Sequence, residues 1–154
     1  MKTSAGILLY RNTNELPEVF LVHPGGPFWK NKDLGAWSIP KGEYTLGENP
    51  LDCAKREFEE ETGHKIEGYF IPLDAVKQAG GKTVYAWAVE GNIDAEKIVS
   101  NTILIPWPPK SDRFLEIPEV DKGAWFELNE AKSKIIPAQS AFIVQLEALL
   151  SNIK

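Results

Sequence analysis

Short apolar stretches, separated by turn-forming residues, predict several strands in the first third of the chain. Residues 3–11 and 18–23 are rich in β-branched and aliphatic side chains and predict the first two strands. Residues 36–39 predict a third, short strand that ends at Pro40, because proline cannot donate a hydrogen bond to a ladder. Residues 41–47 contain two glycines and are expected to form a loop.

A helix is predicted to begin at Asn49 and Pro50 and to end before Gly63. Asparagine is a preferred N-cap residue, and proline fits the first helical turn. Asp52 places a negative charge near the positive end of the helix dipole. A glycine such as Gly63 commonly ends a helix in the left-handed conformation.

The middle of the chain predicts a β-hairpin, with arms at residues 69–79 and 82–89 around Gly80 and Gly81. Apolar side chains occupy both faces of the second arm: Val84, Ala86 and Ala88 on one face, and Tyr85, Trp87 and Val89 on the other. A strand that is apolar on both faces is covered on both faces. The pattern therefore favours an α/β fold with layers on either side of a sheet.

The last third of the chain predicts two strands, at residues 101–107 and 124–126, and an amphipathic helix at residues 137–153. Four prolines between residues 106 and 118 indicate a long irregular loop, and such loops are often functional. We find no repeats, low-complexity segments or linkers. Residues 1–154 are therefore expected to form a single domain.

The composition is that of a globular domain and excludes several other classes of protein. The chain has 154 residues, of which 43% are hydrophobic and 25% charged, and this is typical of a globular domain. The single cysteine excludes an intrachain disulfide and a cysteine-rich zinc site. The apolar run at residues 5–10 is too short for a signal peptide or a membrane span, so we expect a cytoplasmic protein. A net charge of −5 argues against nonspecific binding to nucleic acid or anionic membranes.

The negative charge is concentrated between residues 48 and 61, where six acidic and two basic side chains account for −4 of the −5. On a helical wheel, Glu57, Glu60 and Glu61 share an arc of about 100°. Such like charges repel, and a hard divalent cation converts them into a ligand set. Arg56 is placed to pair with Glu60 or Glu59. The simpler explanation is a solvated, highly charged helix face.

The spacing around this helix favours the metal site. Gly42 is followed by five residues and then by Glu48, and seven further residues lead to Arg56 and Glu57. The pattern continues with Phe58, Glu60, Glu61 and Gly63. Residues 42–64 thus resemble the Nudix box of the Nudix (MutT-like) hydrolase family. His64 departs from that pattern, which has an aliphatic residue at this position.

The resemblance implies an α/β/α sandwich with a mixed β-sheet. It also implies Mg²⁺- or Mn²⁺-dependent hydrolysis of a nucleoside diphosphate linked to another group, X. By the same resemblance, Glu57, Glu60 and Glu61 correspond to the metal-binding glutamates and Glu48 to an accessory acid. Gly42 is assigned to the metal site as well, and Arg56 joins Glu57 and Glu60 in the catalytic set.

Hydrolysis also needs a carboxylate that accepts a proton from water. Glu119, in the proline-rich segment, is the candidate outside the box, with Glu116 second; the alternative is that either is an ordinary exposed glutamate. Lys41 and Arg113 are candidates for phosphate contacts, together with Lys110. Trp107 and Phe114 are the preferred candidates for stacking on a base. Other aromatic candidates are Trp29, Trp37, Tyr85 and Trp87.

Several functions stay open at this point. Pro40, Lys41 and Gly42 resemble the lead-in of the subgroup that acts on dinucleoside polyphosphates such as diadenosine tetraphosphate, and also that of inositol pyrophosphate hydrolases. A nucleoside triphosphate pyrophosphatase is one alternative. A non-catalytic Nudix module for ligand sensing or protein interaction is another, although such modules tend to lose box glutamates. No DNA-binding region is evident, and a small nucleotide-type diphosphate is the expected partner.

Overall fold

The computed structural model describes residues 2–13, 16–44 and 47–151. Nine strands and three α-helices lie within these ranges. In chain order they are β1 (Thr3–Thr13), β2 (Leu16–Pro24), β3 (Lys41–Glu43), α1 (Pro50–Thr62), β4 (Ile71–Pro72), β5 (Val76–Lys77), β6 (Thr83–Glu90), β7 (Thr102–Pro106), β8 (Phe114–Pro118), β9 (Val120–Glu127), α2 (Leu128–Lys134) and α3 (Ser140–Ser151).

The main sheet is mixed, as expected. Its strand order is β4-β6-β1-β2-β9, with β3 paired to β1 and β5 paired to β6. Strands β1 and β6 are parallel, with Ile7 opposite Trp87, whereas the other pairs in this sheet are antiparallel. The predicted hairpin around Gly80 and Gly81 is present, but its first arm is divided into β4 and β5.

Helices cover both faces of this sheet, so the predicted layered α/β/α arrangement is confirmed. Helix α1 packs on one face, where Phe58 lies among buried side chains of β1 and β2. Helices α2 and α3 pack on the other, where Phe142 and Leu146 contact the second core cluster. The two faces of β6 divide between the clusters as its alternation predicts: Val84, Ala86 and Ala88 in one, and Trp87 and Val89 in the other. Tyr85, also predicted on the second covered face, is instead 40% exposed, because the helix on that face does not reach the start of β6.

The segment after Pro40 differs from the prediction. Instead of a loop, residues 41–43 form β3, which places Gly42 opposite Ala5. The close approach depends on Gly6, where an added Cβ would lie 2.6 Å from the carbonyl oxygen of Pro40. The strand expected at residues 36–39 is reduced to isolated bridges, between Val22 and Ser38 and between Trp37 and Ile135. Residues 45 and 46 of the predicted loop lie outside the described residues.

The prediction of an irregular proline-rich loop holds for residues 107–113 and is wrong for residues 114–118, which form β8. Strands β7 and β8 pair antiparallel as a separate two-stranded sheet, in which Ile103 lies opposite Ile117 and Ile105 opposite Leu115. Pro106 and Pro118 are the last residues of their strands. Proline is tolerated at the ends and edges of strands, so these prolines do not interrupt the hairpin.

The C-terminal region contains one helix more than predicted. Helix α2 has only seven residues, too few to produce a clear periodic pattern. A 3₁₀ turn at Pro137–Gln139 precedes α3, so the α-helix begins three residues later than expected. Ile153, at the predicted end, lies outside the described residues. Among the helices of residues 2–13, 16–44 and 47–151, none has the length and apolar character to cross a membrane.

Candidate active site

The helix that carries most of the candidate residues is fixed at both ends as predicted. Asn49 Oδ1 accepts hydrogen bonds from the main-chain N–H groups of Leu51 and Asp52, at 2.9 and 3.3 Å. At the other end Gly63 has a φ of 77°, and its N–H donates to the carbonyl of Glu59. The residues of the box from Arg56 to Glu61 therefore lie within one regular helix.

Three carboxylates meet beside this helix. One oxygen from each of Glu57, Glu61 and Glu119 lies within 4.8 Å of the other two. Glu57 and Glu61 are buried, and Glu119 is half-buried. Glu119 lies between β8 and β9, where its N–H donates to the carbonyl of Asn101 and its own carbonyl accepts from Gly25. The fold thus brings the candidate outside the box to two of the box glutamates.

The electrostatics of this group favour a bound cation. Burial raises the pKa of Glu61 well above its ordinary value, and the charges of Glu119 and Glu57 raise it further. Burial raises the pKa of Glu57 as well, followed by the charge of Glu60. Carboxylate oxygens are the ligands that Mg²⁺ and Mn²⁺ prefer. The donor set therefore fits a hard divalent cation, whose charge would offset this repulsion.

Arg56 organises the glutamates along the outer side of α1. Its guanidinium donates two hydrogen bonds to Glu48, at 2.9 and 3.0 Å. It also donates to Glu57 Oε2 at 2.7 Å and to Glu60 Oε1 at 3.2 Å. The expected pairing with Glu60 is present, and Glu48 and Glu57 are additional partners. These hydrogen bonds to Glu48 and Glu60 raise the pKa of Arg56, so it is a permanent positive charge here.

Glu60 is placed differently from the other two predicted metal glutamates. Its side chain is 41% exposed and is held by Arg56. It does not belong to the group formed by Glu57, Glu61 and Glu119. Its role as a metal ligand stays a prediction.

Gly42 and Cys53 lie on the inner side of the same region. The Cys53 thiol donates to the carbonyl of Gly42 at 3.6 Å. Burial raises the pKa of Cys53 to about 11. A thiol with such a pKa is almost entirely protonated near neutral pH and is a poor nucleophile.

A cavity of about 340 Å³ opens beside the carboxylates. Its lining includes Lys41, Glu61 and Glu119, so the predicted phosphate-contacting lysine shares the cavity with two acids of the cluster. Burial lowers the pKa of Lys41, and the charge of Lys82 lowers it further, whereas Glu61 and Glu119 act in the opposite direction.

The other predicted substrate-binding residues lie elsewhere. Trp107, Arg113 and Phe114 occupy the end of the β7–β8 hairpin farthest from Glu119, where the Trp107 N–H donates to the carbonyl of Arg113. None of the three lines the cavity. Glu116, the second candidate base, is exposed and accepts a hydrogen bond from Thr102. The substrate-binding role of Trp107, Arg113 and Phe114 stays a prediction.

Sequence reasoning missed most of the apolar cavity wall. Trp29 was one of several aromatic candidates, but its neighbour Phe28 was not considered, and both line the cavity. Ile103, Ile105 and Ile117 on the hairpin also line the cavity, and none of them is a candidate in the sequence. Ile103 and Ile105 alternate along β7, and this alternation is the sequence signal for an apolar face on the hairpin. The signal depends on pairing β7 with residues 114–118.

The fold and this carboxylate cluster place the chain in a known class. Residues 1–146 match the model of the NUDIX domain. Since that match covers most of the chain, the protein belongs to the Nudix family.

Sequence comparisons with individual proteins match only about a third of the chain, whereas the structural comparison matches almost all of it. A 53-residue segment is 51% identical to the mRNA-decapping protein g5R of African swine fever virus and covers 32% of this chain and 21% of that protein. A 60-residue segment is 42% identical to the asymmetrical bis(5'-nucleosyl)-tetraphosphatase of Mus musculus and covers 35% of this chain and 41% of the relative. The chain thus spans less than half the length of these curated relatives. The Ap4A hydrolase of C. elegans, solved as a binary complex, has a TM-score of 0.67 at 21% identity, covering 99% of this chain and all of the other.

Proposed function

We propose that this protein is a metal-dependent pyrophosphohydrolase that cleaves a P–O–P linkage in a nucleoside diphosphate linked to X. The observation that carries the proposal is the meeting of Glu57, Glu61 and Glu119 within 4.8 Å, beside a cavity that Lys41 also lines. Splitting a pyrophosphate requires neutralised phosphate oxygens, a positioned water and a proton acceptor. The side chains around this cavity are suited to each of these tasks.

Glu57 and Glu61 would hold the cation, with Glu60, Glu48 and Gly42 as the further residues that the Nudix box assigns to the site. When bound, Mg²⁺ or Mn²⁺ supplies Lewis-acid stabilisation of the phosphate oxygens and lowers the pKa of a bound water.

The remaining tasks belong to the protein's own side chains. Glu119 is the candidate proton acceptor, because it is less buried than Glu57 and Glu61 and faces the cavity from a different element. Lys41 would contact a phosphate oxygen, and an anionic partner would favour its charged form. Arg56 would hold Glu57 and Glu60 in place without touching the substrate.

Dinucleoside polyphosphates are the substrate class that we favour. The 42% identity to an asymmetrical bis(5'-nucleosyl)-tetraphosphatase supports this choice, although it extends over only 60 residues. The intact set of box carboxylates favours an enzyme over a sensing or interaction module. A nucleoside triphosphate pyrophosphatase is the alternative within the class, and the relative that removes mRNA caps adds a cap dinucleotide to the compounds worth testing.

A hydrolysis panel tests the proposal. It contains diadenosine tetraphosphate, nucleoside triphosphates, a cap dinucleotide, an inositol pyrophosphate and a simple phosphomonoester, each with Mg²⁺, Mn²⁺ or chelator. We expect metal-dependent release of a nucleotide and a phosphorylated remainder, with oxygen from labelled water bonded to phosphorus. Turnover of the monoester alone, or an unchanged rate in chelator, would refute the proposal.

A matched pair of variants assigns the proton acceptor. Glu119→Gln removes a carboxylate from the cluster, whereas Glu116→Gln makes the same change on the exposed part of the hairpin. We expect Glu119→Gln to lower kcat by about 10²–10⁴-fold, the usual contribution of general acid–base catalysis. The Glu116→Gln rate should match the parent. Equal rates for both variants would remove Glu119 from the mechanism.

We also propose that residues 1–154 form one Nudix domain and that the protein acts in the cytoplasm. Limited proteolysis should yield no stable smaller fragment, and fractionation of cells should place the protein with cytoplasmic markers.

A further inference from the structure

Residues 99–101, which we call the connecting segment, cap the end of α1 just before β7 begins. The main-chain N–H groups of Val99 and Asn101 donate to the carbonyls of Thr62 and Glu60, each at 2.8 Å. These carbonyls belong to the last turn of α1, where a helix leaves its carbonyl groups without a partner of its own. The connecting segment therefore holds the helical turn that carries two of the box glutamates.

The connecting segment also holds the candidate proton acceptor. The carbonyl of Asn101 accepts a hydrogen bond from the N–H of Glu119 at 2.9 Å. Asn101 thus bonds to Glu60 through its N–H and to Glu119 through its carbonyl, so a single residue links the helix to the loop acid. On the other side, the carbonyl of Glu119 accepts from the N–H of Gly25 at 3.0 Å. The backbone of Glu119 is therefore held on both sides of its side chain.

The hydroxyl of Ser100 strengthens this link. It donates to the carbonyl of Asn101 at 2.9 Å, the same carbonyl that accepts from the N–H of Glu119. It also accepts a hydrogen bond from the N–H of Val120 at 3.0 Å. Val120 is only 5% exposed, so loss of this acceptor would leave a buried N–H poorly placed to find water. One side-chain hydroxyl thus supports the chain immediately before and after Glu119.

The carboxylate cluster needs such a restraint because its members repel one another. One oxygen from each of Glu57, Glu61 and Glu119 lies within 4.8 Å of the other two. Like charges at this distance favour any movement that separates them. Glu119 is the member freest to move, because it is half-buried and forms the one-residue connection between β8 and β9. The hydrogen bonds around Ser100 oppose that movement.

We propose that Ser100 is a positioning residue for the hydrolysis, whose hydroxyl holds the Glu119 carboxylate beside Glu57 and Glu61. Ser100 is not among the residues that line the cavity, so it acts through Glu119 and not on the substrate. This inference rests on the proposed function, in which Glu119 accepts a proton from water. It assigns a role to a side chain outside both the Nudix box and the cavity.

The first test is a matched pair of variants at one position. Ser100→Thr and Ser100→Val add side chains of nearly the same shape, and only threonine keeps the hydroxyl. We expect Ser100→Val to lower kcat by up to about 10²-fold, the order expected when a reacting group is displaced by about 1 Å. KM should change much less, and Ser100→Thr should keep most of the parent kcat. Equal kcat values for the two variants would overturn the proposal, because packing and not the hydroxyl would then matter.

Ser140→Ala is the control for losing a serine hydroxyl. The Ser140 hydroxyl donates to the main-chain carbonyl of Pro137 at 2.9 Å, at the start of α3 on the other face of the sheet. We expect the parent kcat and KM in this variant. A loss as large as that in Ser100→Val would show a general effect of removing such hydrogen bonds and would count against a specific role of Ser100.

A double-mutant cycle tests whether Ser100 acts through Glu119. In Glu119→Gln protein, Ser100→Val should change kcat little further, because the displaced side chain no longer accepts a proton. Residues that act as a unit show such non-additive effects. A purely structural role would lower kcat by the same factor in both backgrounds, and this result would overturn the proposal.

Unfolding in chelator measures the position of Glu119 without any turnover. Glu61→Gln removes a charge that repels Glu119, so its effect on the free energy of unfolding at pH 7 depends on the distance between the two carboxylates. We expect Glu61→Gln to stabilise Ser100→Val protein less than Ser100→Thr protein, because Glu119 has moved away in the former. Equal stabilisation in the two backgrounds would overturn the proposal.

The two measurements separate this inference from the proposed function. If stabilisation by Glu61→Gln differs as expected but the parent hydrolyses no pyrophosphate, the proposed function fails and the placement of Glu119 by Ser100 is supported. If the parent hydrolyses a pyrophosphate and Glu119→Gln impairs it, but Ser100→Val and Ser100→Thr are equally active, the positioning role of Ser100 fails alone.

Discussion

The carboxylate of Glu57 lies directly against Gly42, and the contact leaves no room for a larger residue. A Cβ built on Gly42 would be 2.1 Å from both Oε1 and Cδ of Glu57, whereas non-bonded heavy atoms pack at about 3.5–4.0 Å. Gly42 is not among the residues with positive φ, so its backbone conformation does not require glycine. The first residue of the box is therefore a glycine because a box carboxylate occupies the place of its side chain.

We expect Gly42→Ala to move Glu57 away from Glu61 and Glu119 while β3 and α1 stay folded. A displacement of about 1 Å can cost on the order of 10²-fold in rate, so kcat should fall by about that factor. Thermal melts with chelator and with Mg²⁺ would show a smaller metal-induced rise in Tm. Gly91→Ala is the control, because Gly91 also lacks a positive φ and its added methyl would meet only side-chain methyl groups, at 3.1 Å. A parent-like metal response in Gly42→Ala would contradict the argument.

Arg56→Lys should lower activity even though the charge is kept. Lysine cannot reproduce the two parallel hydrogen bonds to Glu48 while also contacting Glu57 at 2.7 Å. Groups that orient metal ligands typically account for about 10–100-fold in metal affinity or activity, and we expect a loss in that range. Steady-state kinetics over a Mg²⁺ titration measures it. Arg11→Lys, at the ion pair with Glu18, should keep the parent kinetics; a similar loss there would indicate a general effect of the substitution.

Local signals in the sequence predicted α1 and most strands of the main sheet. They failed for segments whose conformation depends on contacts between residues far apart in sequence. The cap residues Asn49 and Gly63 fix α1 independently of the rest of the chain, so its limits were predictable. Strand β3 depends on Gly6 accommodating Pro40, a contact between residues far apart in sequence. Strand β7 was predicted, but its partner β8 was missed, because the prolines at residues 106–118 resemble loop signals until the strand ends are known.

The candidate site likewise combines residues that local periodicity predicts with a residue that only the fold brings to them. The helical period places Glu57 and Glu61 on one arc, and the fold then adds Glu119 from a separate segment. No periodicity relates Glu119 to α1, so it was found only as one of two loop glutamates. The apolar lining of the cavity was unpredictable for a similar reason, because Phe28 and Ile105 come from segments far apart in sequence that meet only in the folded chain.

Without metal, Glu61→Gln should stabilise the protein at neutral pH. Because the pKa of Glu61 is raised in the folded state, its contribution to stability is fully present below the unfolded pKa, about 4.3, and is lost as pH rises through the folded pKa. Glutamine cannot ionise, so the variant should exceed the parent in free energy of unfolding at pH 7 in chelator. The difference should shrink as pH falls towards about 4.3. Urea unfolding between pH 4.5 and 7.5 measures this; a constant or reversed difference would show that the charge of Glu61 is not destabilising.

Glu60→Gln tests whether the exposed box glutamate joins the metal site. Glu60 is held by one hydrogen bond to Arg56 across an exposed helical pair, and such pairs contribute only about 0.3–0.5 kcal/mol. A divalent cation near Glu57 would therefore draw Glu60 out of this pairing at little cost. Without metal, losing the pair and losing the repulsion from Glu57 nearly cancel, so the variant should be as stable as the parent or more stable by a few tenths of a kcal/mol.

With several millimolar Mg²⁺, Glu60→Gln should lose most of the rise in Tm that we expect for the parent, because a ligand stabilises the folded state in proportion to its affinity for it. Turnover should fall by orders of magnitude in the same samples. Glu59→Gln is the matched control, since Glu59 is exposed, adjacent on α1 and identical in charge, but lies on the far side of the helix. A solvated charged face predicts the same behaviour for both variants, because only the number of surface charges changes. A metal ligand predicts that Glu60→Gln alone loses the Mg²⁺ response, so equal melts and equal rates for the two variants would remove Glu60 from the metal site.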